Sequence, residues 1–138
     1  MPITDDDGLR QVLEMRNVAV VGCSTTPTKE AHRIPKYLKE NGYDVVPVNP
    51  HADEVLGAKS YDSLVEADEA GEEIEVVDVF RPSEEVSGIV DDAIEVDADA
   101  VWTQLGIRDR EAAERAEDAG LRFVEDRCMK VEHERLIS

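Results

Sequence analysis

Five short apolar runs recur along this 138-residue chain, and each is separated from the next by a segment with helical spacing. The runs are Asn17–Gly22, Asp44–Val48, Glu75–Phe80, Ala100–Thr103 and Leu121–Val124, dominated by valine. Apolar runs of strand length that do not alternate with polar residues are the pattern of strands buried on both faces. Strands joined by helical crossovers lie parallel, with right-handed connections and a layer of helices on each face. The chain is therefore predicted to be an α/β protein built on a doubly wound, five-stranded parallel sheet.

The connecting segments agree with that plan. Thr4 or Asp5 is placed to cap a first helix carrying Leu9, Val12 and Leu13. A second helix carries Ile34, Tyr37 and Leu38 and stops at Asn41-Gly42, and Pro35 is expected in its first turn, where a missing N–H is tolerated. Residues 51–75 are the least regular: Leu56, Tyr61 and Leu64 read as anchors, and 66–73 as a solvated turn or short helix. Pro82 opens a helix whose apolar face is Val86, Ile89, Val90, Ala93 and Ile94. Ala112, Ala113, Ala116 and Ala119 mark another helix, ending at Gly120. No repeat or linker divides the chain, so 1–138 is expected to form one domain.

Charge removes several classes of function. Asp plus Glu number 33 against 15 Lys plus Arg, a formal net charge of −18. A duplex nucleic-acid partner is not expected, because Lys and Arg must replace the counterions around phosphate. With 41% hydrophobic residues in patterned runs, the chain is also not an acidic disordered tail. No apolar stretch approaches the roughly 20 residues of a membrane span, and Met1 to Asp7 lack the basic and apolar regions of a signal peptide, so a cytoplasmic location without membrane association is expected. Only five lysines occur, and the carboxylates are spread along the whole chain. Such a surface suits concentrated salt, where the Debye length falls to about 3 Å at 1 M, and a halophilic source is expected.

In a doubly wound sheet, ligands sit outside the carboxyl ends of the strands. Those ends are Gly22-Cys23-Ser24, Val48-Asn49-Pro50, Phe80-Arg81-Pro82, Thr103-Gln104-Leu105-Gly106 and Asp126-Arg127-Cys128. Gly22 permits close backbone approach, and Ser24, Thr25 and Thr26 add hydroxyls, which makes this turn the phosphate candidate. It is not G-x-G-x-x-G, since Ser24 and Pro27 occupy the other glycine positions. The second strand ends without the acid that would hold an adenine ribose 2′-OH, against NAD, and no nearby Arg suggests NADP. Lys29, Arg33 and Arg81 are candidate phosphate cations, with surface ion pairing as the alternative for each.

Catalytic signals are sparse. His32, His51 and His133 lack metal-ligand spacing and form no Ser/His/Asp pattern. Cys23 and Cys128 are too few for a disulfide framework and form no CxxC pair. Cys23, beside a helix amino end, is either a reactive thiol or, by default, small-residue packing. Asp78 is read as an interior polar residue or a cleft residue, and Trp102 as core. Asp126, Arg127, Glu132 and His133 are expected to form an ion-pair network closing the sheet edge.

Taken together, the strand ends Val18-Ala19-Val20-Val21-Gly22-Cys23-Ser24, Pro47-Val48-Asn49-Pro50, Val79-Phe80-Arg81-Pro82, Val101-Trp102-Thr103-Gln104-Leu105-Gly106 and Asp126-Arg127-Cys128 resemble the small stand-alone CoA-binding proteins. That family looks like the amino-terminal domain of the succinyl-CoA synthetase alpha subunit, a single Rossmann-like domain. The resemblance spans about residues 9–133. It implies that Gly22 and Ser24, with nearby backbone, meet the phosphates of CoA or an acyl-CoA; from the residues themselves, Cys23, Thr25, Lys29 and Arg33 complete the expected binding set on this side. It also implies Asn49 and Pro50 beside the adenosine, Phe80, Arg81 and Pro82 along the nucleotide–pantetheine path, and Gln104 and Gly106 on the far wall. The phosphohistidine of the synthetases lies outside this domain, so a non-catalytic carrier, sensor or regulatory module is expected, working with a partner enzyme of acyl-CoA metabolism. The alternatives are an NAD(P)-binding oxidoreductase or a redox thiol protein using Cys23, and a structural module with a vestigial cleft.

Overall fold

The computed structural model describes residues 1–137. Seven strands and six helices follow in the order α1 (Asp6–Leu13), β1 (Asn17–Val21), α2 (Glu30–Glu40), β2 (Asp44–Val48), β3 (Glu54–Val55), β4 (Ala58–Lys59), α3 (Leu64–Glu69), β5 (Val76–Val79), α4 (Ser83–Glu95), β6 (Ala100–Thr103), α5 (Arg110–Asp118), β7 (Arg122–Val124) and α6 (Met129–Leu136). Five strands form one sheet in the order β2-β1-β5-β6-β7, and every pairing within it is parallel. The order reverses between β1 and β5, which is the switch point of a doubly wound sheet.

Side-chain alternation divides the core between two faces. Val18, Val20, Val76, Ala100, Trp102 and Val124 pack with Leu9, Val12 and Leu13 of α1, Ile34 and Leu38 of α2, and Met129 of α6. Ala19, Val77, Val79, Val101 and Phe123 pack with Leu64 of α3, Val86 and Val90 of α4, and Ala112 and Ala116 of α5. Each strand thus buries both its faces, as the uninterrupted apolar runs require.

Two regions depart from expectation. The irregular stretch after β2 contains a two-stranded antiparallel hairpin, β3–β4, turned at Leu56 and Gly57 with φ of +54° and +76°. It leads into Tyr61, whose N–H donates to the Pro47 carbonyl at 3.1 Å and whose carbonyl accepts from Asn49 at 2.9 Å. This pairing covers the outer edge of β2, where Pro47 is tolerated because an edge strand pairs fully on one side only. The chain also continues past β7 into α6, which packs on α1 and α2.

Pro35 corrects a further expectation. It is the sixth residue of α2, not in the first turn. Proline at that position removes the hydrogen bond to the carbonyl four residues earlier, that of Ala31. The Ser24 N–H donates to the Ala31 carbonyl instead, at 3.0 Å, and ties the loop after β1 to the helix.

Candidate functional site

A cleft of about 620 Å³ opens at the carboxyl ends of β1, β2 and β5, at the switch point. Its size lies within the range of cofactor sites. Gly22, Ser24, Lys29, Asn49, Pro50, Phe80 and Arg81 line it, so seven of the thirteen residues expected from the sequence come together there.

Gly22 turns the chain out of β1 with φ of +91°, a conformation that disfavours any side chain. Its N–H donates to the Val48 carbonyl at 2.9 Å, binding the β1 turn to the end of β2. The Ser24 hydroxyl oxygen accepts from the Thr26 N–H at 3.0 Å, which curls the loop towards α2. Lys29, the residue preceding that helix, supplies no side-chain cap. The start of α2 thus has no side-chain cap, and Ala31 of its first turn lines the cleft, where a helix amino end favours an anion.

Asn49 holds the second wall through both ends of its amide. Its Nδ2 donates to the Cys23 carbonyl at 2.9 Å, and its Oδ1 accepts from the His51 N–H at 2.8 Å. The side chain thus joins the turns after β1 and β2 and presents Pro50 and His51 to the cleft. Asn49 acts as a positioning residue.

The third wall comes from β5 and α4. Phe80 is half-buried, with its N–H on the Val21 carbonyl at 2.9 Å. Arg81 extends its stem over Gly22: a Cβ on that glycine would lie 2.8 Å from Arg81 Cδ and 3.0 Å from the Phe80 carbonyl oxygen. The guanidinium donates twice to Glu85, from Nε at 3.1 Å and from Nη2 at 2.8 Å. Those hydrogen bonds hold the Glu85 carboxyl below its ordinary range and raise Arg81 above its own.

Six expected residues lie outside this lining. Cys23 is fully buried among Ile34, Leu38 and Val20, and desolvation, with Asp78 adding to it, pushes its thiol up to about 12. Cys23 therefore packs in the core, the default expected from the sequence, and its surroundings raise the thiol pKa instead of lowering it. Thr25 is exposed on the loop, and Arg33 pairs with Glu30 at 2.9 Å on the outside of α2. Pro82 is the exposed residue preceding α4. Gln104 turns inward, its Nε2 donating to Asp78 Oδ1 at 2.5 Å and its Oε1 accepting from the Met129 N–H at 3.3 Å. Gly106 donates its N–H to Asp126 Oδ1 at 2.6 Å in the turn after β6.

Asp78 is interior, with no exposed surface, and its Oδ2 is unpartnered. Desolvation raises its carboxyl to about 7, against a smaller opposing effect of the Gln104 hydrogen bond. Trp102 is core, as expected, with Nε1 donating to the Arg127 carbonyl at 2.8 Å. The expected edge network has different members. Arg127 and Arg135 both pair with Glu132, Arg135 reaches Asp6, Asp126 pairs with Arg108, and His133 Nδ1 meets the Tyr37 hydroxyl at 2.7 Å. Among the described residues no cluster of His, Cys, Asp and Glu is arranged to hold a metal, and no helix is long and apolar enough to cross a membrane.

Sequence reasoning missed His51, Asp62 and Glu85 as cleft residues. His51 immediately follows Asn49-Pro50, and Glu85 stands four residues after Arg81, so strand-end position and charge spacing marked both. Asp62 arrives from the irregular segment after β4, where no local pattern points to a cleft.

Comparison with known proteins places this geometry in context. The family described as CoA binding domain matches residues 16–134. Uncharacterized protein YneT of Bacillus subtilis is 36% identical over 126 residues, 91% of each chain. The structure of a hypothetical protein from Pyrococcus horikoshii superposes with a TM-score of 0.93 and 42% identity, covering 100% of this chain and 97% of that one. The dinucleotide-forming acetyl-coenzyme A synthetase 1 of Ca. Korarchaeum cryptofilum superposes with a TM-score of 0.68 and 26% identity, over 83% of this chain but only 27% of that enzyme.

Proposed function

The chain belongs to the CoA-binding domain family, and from that premise we propose that the cleft between β1, β2 and β5 binds coenzyme A or an acyl-CoA. The observation that carries this reading is the convergence of Gly22, the uncapped start of α2 and the cations Lys29 and Arg81 on one cleft at the switch point. A pyrophosphate fits that arrangement because the glycine turn allows close approach and the helix start favours negative charge. Pro50 and Phe80 supply apolar surface for the adenine and the pantetheine arm. The similarity to part of a CoA-dependent synthetase supports the same ligand class.

The proposed role is non-catalytic: the domain carries, senses or presents the thioester, and a separate enzyme of acyl-CoA metabolism acts on it. Cys23 is sealed in the core rather than lining the cleft. The acidic surface belongs to the same reading as an adaptation to concentrated salt in a cytoplasmic setting.

Thermal unfolding with CoA and with NAD⁺, in 2 M KCl, tests the proposal. At a hundredfold excess over Kd a ligand adds about 2.7 kcal/mol, a rise in Tm on the order of 10 °C. Stabilisation by CoA alone supports the reading. Stabilisation by NAD⁺ in its place transfers the protein to the oxidoreductase alternative, and no shift with either removes the ligand altogether.

A further inference from the structure

Lys29 and Arg81 are the lysine and arginine lining the cleft, and Asp62 and Glu85 are its aspartate and glutamate. These four formal charges cancel. A pocket for a ligand with several phosphate charges therefore holds no net positive charge from them until one acid withdraws. Glu85 is the acid built to do so. Its two oxygens occupy Nε and Nη2 of Arg81, the same edge of the guanidinium that grips a phosphate in a forked pair.

Resting on the CoA reading above, we propose that Glu85 is an internal competitor for Arg81, so that ligand phosphate binds by displacing the Glu85 carboxylate, and Glu85 sets the affinity and anion selectivity of the cleft. The Arg81 stem already lies across Gly22, which places the guanidinium beside the glycine turn. The pair is loose enough to exchange. Its side chains are 47% and 45% exposed, and solvent screens ion pairs of that exposure strongly. The displaced carboxylate is not stranded, because Glu85 lies in the first turn of α4, where the positive end of the helix dipole still favours it. A dianionic phosphate outcompetes a single carboxylate for the fork, whereas a ligand with one carboxylate gains nothing over Glu85. Arg81 precedes α4 and Glu85 lies on its exposed surface, so substitutions at either leave the core intact.

Calorimetric titration of CoA into wild type, Glu85→Gln, Arg81→Gln and the double variant tests the exchange. The expected result is five- to tenfold tighter binding for Glu85→Gln, weaker binding for Arg81→Gln, and no gain from Glu85→Gln once Arg81 is absent. Acetate is expected to weaken CoA binding to Glu85→Gln more than to wild type. If the Glu85→Gln gain persists on the Arg81→Gln background, Glu85 acts only through the general field and the competitor role is overturned. If wild type binds CoA and Glu85→Gln binds equally, the proposal falls while the CoA reading stands. If no variant binds CoA, the underlying reading itself fails.

Discussion

The Ser24 N–H donates to the Ala31 carbonyl at 3.0 Å, a bond open to it because Pro35 has no N–H to give. A defect in the hydrogen-bond ladder of α2 thus serves as the anchor of the loop after β1. The loop in turn presents Gly22 and Ser24 to the cleft.

Substituting Pro35→Ala restores a donor that competes for the Ala31 carbonyl. We expect the Ser24 amide to exchange with solvent at least tenfold faster, a change of about 1.4 kcal/mol in local opening, with CoA affinity reduced in parallel. Amide exchange followed by NMR checks this, and unchanged Ser24 protection would contradict the anchoring role.

Asp78 makes stability fall as pH rises. Its carboxyl is displaced upward to about 7 in the folded state from an ordinary value of 3.8. The folded protein therefore binds more protons than the unfolded chain between those values. Its contribution is complete below pH 4 and is lost as pH climbs through 7. Asp78→Asn keeps an acceptor for Gln104 without the ionisation. Urea midpoints at pH 5 and pH 8.5 are expected to show the variant gaining a few kcal/mol on wild type at the higher pH; a constant difference would remove Asp78 as the cause.

Asn49→Ala deletes two hydrogen bonds, one joining the turn after β2 to the Cys23 carbonyl after β1 and one bracing the β2 turn itself at the His51 N–H. At about 1 kcal/mol for each bond, a loss of about 2 kcal/mol is expected in chemical denaturation. CoA affinity is expected to drop more than stability alone explains, because the turns carrying Gly22 and Pro50 lose their mutual register. Calorimetry under conditions where the variant remains folded separates the two effects.

The net charge of −18 sets the salt dependence. Self-repulsion among the carboxylates is relieved as ionic strength rises, so Tm is expected to climb between 50 mM and 3 M KCl. Scanning calorimetry across that range checks it. Equal stability and solubility at the two ends would discard salt adaptation.

Local order explains what was legible beforehand. Val18 to Val21 reveals a buried parallel strand because a strand covered on both faces does not alternate apolar with polar residues; β5 does so too except for the buried Asp78. The helix at 83–95 was readable from Val86, Ile89, Val90 and Ala93, which recur at the helical period. The hairpin at 54–59 was not, because two-residue strands are too short to carry a period.

What the sequence determined by itself was the sheet, its two helical layers and the set of strand ends, since these follow from burial, which is written into residue type and spacing. Tertiary structure alone decided which of those residues share the cleft. Gln104 turns away to a buried Asp78, Cys23 sinks beneath the loop, and Asp62 enters from a segment without pattern. Each outcome depends on hydrogen-bond partners and free space contributed by distant parts of the chain, and no local rule encodes them.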